Sequence, residues 1–386
     1  MDADASRVAL RFASPLEQID DPRMDRTKRH SLEAIVLIAL MAVICGADGW
    51  SQVELFGRSK LKWLKTFLHL PHGIPSHDTF GRVFSLLDPE QLERWFMQWT
   101  AKLAQATGGE LIAIDGKTIR RSFDKTTKTG AIHMVSAWSQ ANEMVLGQLT
   151  TEAKSNEITA IPGLLALLDL SGAVVTIDAM GCQKNIARQI QEQGGDYILQ
   201  VKDNHPSLHE DIKLWFDEAF AHDFEDTAYA HHETTDKGHG RVERRRCWTL
   251  FDPQDMACFT RHHDWTGLRS LVCVESTRHD LTTGTTSIEK RYFISSLPGA
   301  DAAGMQAATR GHWKIENKLH WSLDINYRED ECRIRKGHAP ENFSRLKRLS
   351  QNMLKMDKST KVGIHSKRLR CGWDHDYLLK ILATAF

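Results

Sequence analysis

The sequence has few of the features that mark disulfide-rich, zinc-binding or membrane-spanning proteins. Its seven cysteines are scattered and include no Cys-x-x-Cys pair, so neither a disulfide framework nor a structural zinc site is expected, and a reducing compartment fits. The longest apolar run covers the twelve residues 34–45, which is too short to cross a bilayer. We therefore expect a cytoplasmic protein that has no membrane partner.

The sequence also lacks a net charge. Fifty Lys and Arg residues balance fifty Asp and Glu residues. The overall charge therefore does not indicate a nucleic-acid binder, and such a function must depend on local basic clusters. A chain of 386 residues with 41% hydrophobic residues is long enough for two or three domains.

Residues 31–107 follow the pattern of a helical unit. Ser31 is a predicted N-cap, and the apolar run after it predicts a helix that stops at Gly46. Further helices are predicted over Ser51–Phe67, from Ser76 onward, and over Pro89–Gln105. The stretch around residues 60–86 is compatible with a helix-turn-helix, although generic helical packing explains it more simply.

From Gly108 the periodicity changes to short β-branched runs separated by turns and helices. The predicted order over residues 108–220 is βββαβαβα, and the first and fourth strands end in Asp115 and Asp178. This strand order, with an acid on each of those two strands, is the one that the ribonuclease-H-like fold uses. In isolation, an Asp before Gly or Ala is more often a turn former or a strand cap.

A third acid, Glu316, lies in a stretch that has helical spacing. On a regular helix its face would carry a histidine and another acid at i+4 and i+8, beside an apolar stripe. These neighbours are His320, Asp324, Ile315, Leu319 and Leu323. A carboxylate at the rim of a buried stripe is costly unless something binds it, and the alternative is a solvated acid on an amphipathic helix.

Together, Asp115, Asp178 and Glu316 would form a site made only of oxygen ligands. Mg²⁺ or Mn²⁺ prefers such sites, and two such ions can support an in-line phosphoryl displacement. Asp324 could add a fourth carboxylate or remain an exposed helix acid. Asn317 and His320 are candidates for groups that orient Glu316, with a packed histidine as the alternative for His320.

Several short motifs, taken together and in order, resemble those of a known family. They are Ile114-Asp-Gly-Lys-Thr118, Lys154-Ser-Asn-Glu157, Thr176-Ile-Asp-Ala179, Val201-Lys-Asp-Asn204, His239-Gly-Arg-Val-Glu243, Ile294-Ser-Ser296 and His312-Trp-Lys-Ile-Glu-Asn317 with His320-Trp321 and Asp330. The chain resembles DDE transposases of bacterial insertion sequences, in the ISAs-type branch that includes the H-repeat-associated proteins. Motifs in the N-terminal helical stretch, such as Gly73-Ile-Pro-Ser-His-Asp-Thr-Phe80, resemble that branch's associated domain.

The resemblance implies a DNA transposase whose metal-binding and catalytic triad is Asp115, Asp178 and Glu316. It implies two Mg²⁺ (or Mn²⁺) ions, DNA as the partner at element ends and target, and a homo-oligomer on DNA. The chain departs from the wider group of such enzymes, because His312 and Leu323 stand where that group has an Arg and a Lys.

The expected architecture is an α+β or α/β chain with a ribonuclease-H-like core, a β-rich insertion and an all-helical N-terminal domain. The expected divisions are a helical DNA-binding domain at 1–107, the first part of the core at 108–220, the insertion at 221–290, the second part of the core at 291–350 and a helical tail at 351–386.

Basic residues near the three acids are candidate DNA contacts, because Lys and Arg bind phosphates with release of counterions. The candidates are Lys117, Arg120, Lys202, Arg241, Arg244, Arg310, Lys314 and Arg333, together with the cluster Arg345, Lys347 and Arg348. For any single cluster the alternative is a solvated face. Four tryptophans could stack on bases, although core packing is the simpler interpretation: Trp138, Trp248, Trp313 and Trp321.

Two other functions remain open from the sequence. One is a DNA nuclease with the same fold and metals that cuts without joining strands. The other is an inactive or domesticated DNA-binding relic, which the departures at His312 and Leu323 leave possible.

Overall fold

The structure is a computed structural model that describes residues 16, 18–103, 110–124, 130–151, 157–238, 240–259 and 264–383. Its first part is helical. The helices are α1 (Leu32–Ile44), α2 (Trp50–Ser59), α3 (Leu61–Leu64), α4 (His77–Leu86) and α5 (Pro89–Leu103). The caps at Ser31 and Ser76 are confirmed, since their hydroxyls accept hydrogen bonds from the N–H groups of Ala34 and Thr79. The predicted helix over Ser51–Phe67 is wrong in detail, because it breaks at Lys60.

A nine-stranded sheet follows, interleaved with helices. Its elements are β1 (Leu111–Thr118), β2 (His133–Ser139), β3 (Met144–Thr151), α6 (Glu157–Leu165), β4 (Val174–Ile177), α7 (Lys184–Glu192), β5 (Asp196–Val201), α8 (Pro206–Ala221), β6 (Tyr229–Gly238), β7 (Arg241–Leu250), α9 (Pro253–Cys258), β8 (Ser270–Asp280) and β9 (Thr286–Ser295). The strand order across the sheet is β3-β2-β1-β4-β5-β9-β8-β7-β6. The predicted order βββαβαβα is confirmed.

Strands β1, β4 and β5 are parallel to one another, while the other pairings are antiparallel. The sequence predicted that the first strand ends at Asp115, and this is wrong. The strand continues to Thr118, because residues 115–118 keep their antiparallel pairing with β2 after the pairing with β4 has ended.

The β-rich insertion is part of this sheet. Strand β9 pairs with β5 along residues 198–201, and β8, β7 and β6 extend the sheet outward from β9. The sequence analysis missed β6, whose charged and histidine-rich residues suggest a linker. Most of its residues are exposed or half-buried at the sheet's outer edge, so the strand has no apolar alternation that the sequence could reveal.

The C-terminal part returns to helices. They are α10 (Ala302–His312), a π-helix (Ile315–His320), α11 (Trp321–Tyr327), α12 (Ala339–Met356), α13 (Ile364–Trp373) and α14 (His375–Ala383). Helix α12, which carries the basic cluster Arg345, Lys347 and Arg348, begins at Ala339.

Helix α12 is buried along nearly all its length and packs against α1, α4, α5 and β3. Helix α1 is apolar on all sides and buried, as expected for a helix surrounded by others. The side chain of Asn352 on α12 accepts a hydrogen bond from the N–H of Val145 at 2.9 Å and donates one to its carbonyl at 2.8 Å. The N-terminal helices, α12 and the edge of β3 therefore share one core.

No helix among the described residues is long and apolar enough to cross a membrane. Three parts of the sequence predictions fall outside the described ranges. They are the helix end at Gln105, motif residues 154–156 and His239.

Candidate active site

Asp115 and Asp178 lie next to each other at the carboxyl end of two parallel strands. The pairing of β1 with β4 ends at the register pair Ile114 and Ile177. The next residue on each strand is the aspartate, so the sheet brings together two acids that are far apart in sequence. Both are half-buried. The carboxyl end of parallel strands is the edge at which α/β proteins commonly build their sites.

The carboxylate of Asp115 is held from two directions. Its Oδ1 accepts a hydrogen bond from the N–H of Gly116 at 2.8 Å. Its Oδ2 lies 3.5 Å from Nδ1 of His320. Burial, together with the nearby charges of Asp178, Glu316 and Glu157, raises the pKa of Asp115 to about 8, although the hydrogen bond from Gly116 opposes this shift. The three predicted acids therefore lie within electrostatic range of one another.

Asp178 caps a short turn as well as facing Asp115. Its Oδ1 accepts hydrogen bonds from the N–H groups of Met180 at 3.1 Å and Gly181 at 3.3 Å. The loop after β5 braces this turn, since Asn204 donates from its side chain to the carbonyl of Ala179. The capping role and a metal-binding role are compatible, because the hydrogen bonds occupy only one carboxylate oxygen.

Glu316 lies on the π-helix Ile315–His320, and this differs from the regular helix that the sequence predicted. The apolar stripe is confirmed, because Ile315, Leu319 and Leu323 are all fully buried. Glu316 itself is exposed. Burial of the Glu316 carboxyl group and the negative charge of Asp178 raise the pKa of Glu316, whereas the positive charge of Arg291 lowers it. Single π turns inside helices are common at functional sites.

His320 was predicted to orient Glu316, but the structure places it against Asp115. The extra residue of the π turn rotates position 320 relative to 316, so the two side chains do not share the i, i+4 face that a regular helix would give them. Burial, together with the charges of Arg348 and Lys117, lowers the pKa of His320 to about 3. A neutral imidazole therefore packs beside Asp115. Asn317 is exposed and lines a basic groove instead of contacting a described acid.

His312, which replaces the family's arginine, is also neutral. Its Nδ1 lies 3.1 Å from the hydroxyl of Thr176 on β4. Burial lowers its pKa to about 4, although the charge of Asp178 opposes that shift. His312 therefore packs between α10 and β4 and contributes no positive charge at neutral pH.

The carboxylate oxygens of the three acids are the kind of ligand that a hard divalent cation prefers. Asp115, Asp178 and Glu316 offer only carboxylate oxygens, and the charges of the other two raise the pKa of Asp115, so a bound cation would stabilise all three. In the conformation described here, no group of three His, Cys, Asp or Glu side chains among the described residues is arranged to hold a metal ion. Three described histidines that lie near one another in sequence, His222, His231 and His232, likewise take part in no such group within the described ranges. The three carboxylates are thus near one another, but their oxygens do not converge on a single position that a metal ion could occupy.

A basic groove lies beside Glu316, between β7–β9 and α10. We define this basic groove by its cationic and aromatic lining: Arg241, Arg245, Arg278, Arg291, Arg310, Lys314 and Trp313. Its volume is about 540 Å³. The sequence analysis missed Arg278 and Arg291, because they belong to different strands and come together only when β8 and β9 pair. The guanidinium of Arg291 lies 4.6 Å from the ring centre of Trp313.

Acidic side chains position the arginines of the basic groove. Asp236 lies 3.0 Å from Arg245 and 2.9 Å from Arg310. Glu243 pairs with Arg278 at 2.9 Å and also with Arg245. The arginines of the groove are therefore held by ion pairs with neighbouring acids. Those that stay partly exposed can still bind the phosphates of a polyanion.

The other predicted DNA contacts are scattered. Lys202 and Arg333 are exposed outside the groove. Arg244 is half-exposed and pairs with Glu233 at 2.6 Å. Arg120 is 81% exposed and lies 3.1 Å from Asp330. Lys117 is only 8% exposed, and its ammonium group contacts Asp324 and Asp330, so the structure places this predicted DNA contact inside the protein.

The cluster on α12 was also predicted wrongly. Arg345, Lys347 and Arg348 are all buried. Arg345 lies 2.8 Å from Glu93, and Arg348 lies 2.8 Å from Glu329. These cations therefore belong to the protein core.

The tryptophans divide into two groups. Trp138 and Trp248 are buried, as core packing predicts, whereas Trp313 and Trp321 are 37% and 60% exposed on either side of Glu316.

A buried pair that the sequence analysis did not single out, His133 and Glu157, lies against the backbone of Gly116, where a Cβ would collide with both side chains. Only the fold brings these two residues to Asp115.

Comparison with known proteins agrees with this geometry. A family model described as "Transposase DDE domain" matches residues 106–353, and one described as "DDE_Tnp_1-associated" matches residues 13–100. The "H repeat-associated putative transposase YhhI" of Escherichia coli K12 is 41% identical over 369 residues, which cover 95% of this chain and 96% of that protein.

Two further relatives are similar over most of their length. The "Putative transposase YncI" of Escherichia coli O157:H7 is 42% identical over 369 residues, covering 95% of this chain and 93% of that protein. An "Uncharacterized protein in dhlA 3'region" of Xanthobacter autotrophicus is 46% identical over 285 residues, covering 72% of this chain and 92% of that protein. A DDE domain implies a ribonuclease-H-like core, and enzymes of this family generally use divalent metal ions and act on DNA. The chain belongs to the DDE transposase family, in the H-repeat branch, and is an enzyme of DNA transposition.

Proposed function

We propose that Asp115, Asp178 and Glu316 are the catalytic triad and that they bind two Mg²⁺ or Mn²⁺ ions. The observation that carries this proposal is the electrostatic coupling of the three acids at the carboxyl end of β1 and β4. When bound, such ions supply Lewis acidity and lower the pKa of a coordinated water. The exposed position of Glu316 on a π turn allows it to move toward the two aspartates.

The reaction proposed for this site has two phosphoryl-transfer steps. In the first, a water oxygen bonds to phosphorus at the element end, and the phosphorus–O3′ bond breaks to leave a 3′ hydroxyl. In the second, that hydroxyl oxygen bonds to a phosphorus of target DNA, and the bond to the target's own O3′ breaks. The backbone N–H of Gly116 orients Asp115 through its hydrogen bond, and the neutral imidazole of His320 packs beside the same carboxylate.

The DNA strand next to Glu316 is proposed to lie in the basic groove. Arg241, Arg310 and Lys314 line it, and the missed residues Arg278 and Arg291 complete it. Lys202, Arg244, Arg120 and Arg333 are exposed or half-exposed outside the groove, and they are proposed to contact more distant phosphates. Lys117 is left out of this set because its partners lie within the protein.

The helical residues 1–107 are proposed to recognise element ends in the cytoplasm, and action on two ends is proposed to require a homo-oligomer on DNA. The remaining divisions are proposed as 108–220 and 291–350 for the core, 221–290 for the insertion and 351–386 for the tail, and β9 and α12 run across the boundaries at 290 and 350. The sheet supports a single rigid unit for the insertion and the core, since β9 pairs with β5.

The test is cleavage and joining of a labelled DNA that carries the element's own ends, in Mg²⁺ and in Mn²⁺. Glu316→Gln should reduce both products by at least about a thousandfold, because removing a metal-binding or charge-stabilising group typically costs several kcal/mol in the transition state. DNA binding by this variant should stay within about twofold. Glu192→Gln, the same substitution at an exposed position on α7, is the matched control.

The other two functions predict different outcomes. Cutting that ignores the end sequence and never yields joined product would indicate a nuclease. Binding to ends without cleavage in either metal would indicate a relic.

A further inference from the structure

Lys117 is a buried cation that the reaction scheme above does not use. It lies on β1 two residues after Asp115, so the two side chains leave the same face of the strand. Its side chain is 8% exposed. A buried ammonium group is costly unless it is paired and hydrogen-bonded, so its partners decide its role.

The partners of Lys117 lie on the segment that carries Glu316. Its Nζ is 2.8 Å from Oδ1 of Asp324 and donates a hydrogen bond to Oδ1 of Asp330 at 3.0 Å. Asp324 belongs to α11, which continues directly from the π-helix, and Asp330 follows in the next turn. Arg120, also from the β1 side, lies 3.1 Å from the second oxygen of Asp330.

The ion pairs of Lys117 matter because Glu316 lies on a π-helix. A π turn is a rare, single-turn irregularity within a helix, so the direction of Glu316 depends on how the helix is fixed on either side of it. The stripe of Ile315, Leu319 and Leu323 packs the helix onto the core, but apolar packing is not directional. Two ion contacts at defined distances fix the rotation and height of the helix relative to β1.

We propose that Lys117 is a positioning residue that ties the helix of Glu316 to the strand of Asp115, and that it does not contact DNA. This proposal rests on the assignment of the triad given above. Lys117 sets the separation of the two acids, and with it the ability of the site to close around its metal ions.

The test compares Lys117→Met, which keeps the chain length and removes the charge, with Lys314→Met in the basic groove. For Lys117→Met, the Mg²⁺ concentration that gives half-maximal cleavage should rise at least tenfold, and end-DNA affinity should stay within about twofold. Amide hydrogen exchange of peptides covering residues 315–327 should become at least tenfold faster, while peptides from α1 stay unchanged. Lys117→Arg should recover part of both effects.

Lys314→Met should give the opposite result, with weaker DNA binding and an unchanged Mg²⁺ requirement. The proposal is overturned if Lys117→Met behaves like Lys314→Met, or if it leaves both the Mg²⁺ requirement and the exchange rates unchanged. If Lys117→Met does not fold, Asp324→Asn provides the second variant. It removes one of the two carboxylates and should speed exchange over the same peptides.

A failure of the triad assignment would look different. In that case Glu316→Gln would retain cleavage, whereas the exchange measurement would still report whether Lys117 holds the helix.

Discussion

Two regions of this molecule are rich in arginine and lysine, and they use positive charge in opposite ways. On α12, Arg345, Lys347 and Arg348 are at most 3% exposed. In the basic groove, the side chain of Arg310 remains 52% exposed although it pairs with Asp236. The first set neutralises buried acids, and the second presents cations to the surface beside Glu316.

The difference follows from what covers each element. Helix α12 is enclosed by α1, α4, α5 and β3, so Arg345 and Arg348 pair with acids inside the protein, and Lys347 lies over the ring of Phe343. The groove is formed by paired strands whose outer ends extend into solvent. A basic cluster in a sequence therefore indicates a DNA contact only if the fold leaves it uncovered.

The largest effect is expected from breaking a buried pair on α12. Arg348→Met should lower the free energy of unfolding by about 3–5 kcal/mol, because it leaves Glu329 buried without its partner. Urea unfolding followed by circular dichroism measures this. The double variant Arg348→Met/Glu329→Leu should recover most of the loss, since it removes both charges. A loss below about 1 kcal/mol in the single variant would contradict a structural role for Arg348.

The second expectation is an acid-dependent loss of stability centred on Glu329. Burial raises its pKa, but Arg348, Lys347 and Lys117 outweigh that effect and hold the value at about 2, below the ordinary 4.5. A lowered pKa in the folded state stabilises the protein above about pH 4.5, and this contribution disappears as the pH falls toward 2. Its size is about 3 kcal/mol.

The corresponding measurement is the free energy of unfolding between pH 6 and pH 2 for wild type and Glu329→Gln. The difference between the two proteins should be largest near pH 6 and should shrink toward pH 2. A difference that stays constant over this range would show that Glu329 is not ionised in the folded protein.

A smaller effect, on binding and not on stability, is expected in the basic groove. Arg310→Ala should weaken binding to end DNA about tenfold and lower the slope of log affinity against log salt by about 1, because one phosphate contact is lost. Its stability should change by less than about 0.5 kcal/mol. Lys213→Ala, an exposed lysine on α8, is the matched control. An unchanged salt slope for Arg310→Ala would remove this residue from the DNA path.

The smallest effect on stability is expected for Arg244→Ala at the edge of the sheet. Its pair with Glu233 is half-exposed, and such pairs contribute about 0–1 kcal/mol. Thermal unfolding should show a shift of at most a few degrees. If Arg244→Ala lowers the unfolding temperature as much as Arg348→Met does, exposure does not explain why ion pairs in the two regions differ in their contribution to stability.

The sequence predicted the strands of the core because their apolar runs and turns are local signals. It also predicted that Asp115, Asp178 and Glu316 belong together, since a motif around each acid matches the family. The parallel register of Ile114 with Ile177 then explains how the two aspartates meet.

The errors involve properties that depend on contacts distant in sequence. The burial of Lys117 and of the α12 cations depends on which elements cover them, and the sequence of α12 looks like that of a surface basic helix. The π turn at 315–320 has no local pattern, so the sequence did not decide between a position beside Glu316 and a packed position for His320, and the structure places it near Asp115. The basic groove collects residues from three strands and a helix, and only strand pairing reveals it.

The most direct test of the proposed triad is the metal dependence of Asp115→Cys. Mg²⁺ is a hard ion that binds thiolate poorly, whereas Mn²⁺ accepts softer ligands more readily. Strand cleavage by Asp115→Cys should therefore be lost in Mg²⁺ and recover by at least tenfold in Mn²⁺. Asp376→Cys, at an exposed position on α14, should show no such preference. Equal activity of Asp115→Cys in both metals, or a Mn²⁺ recovery matched by Asp376→Cys, would contradict direct metal binding by Asp115.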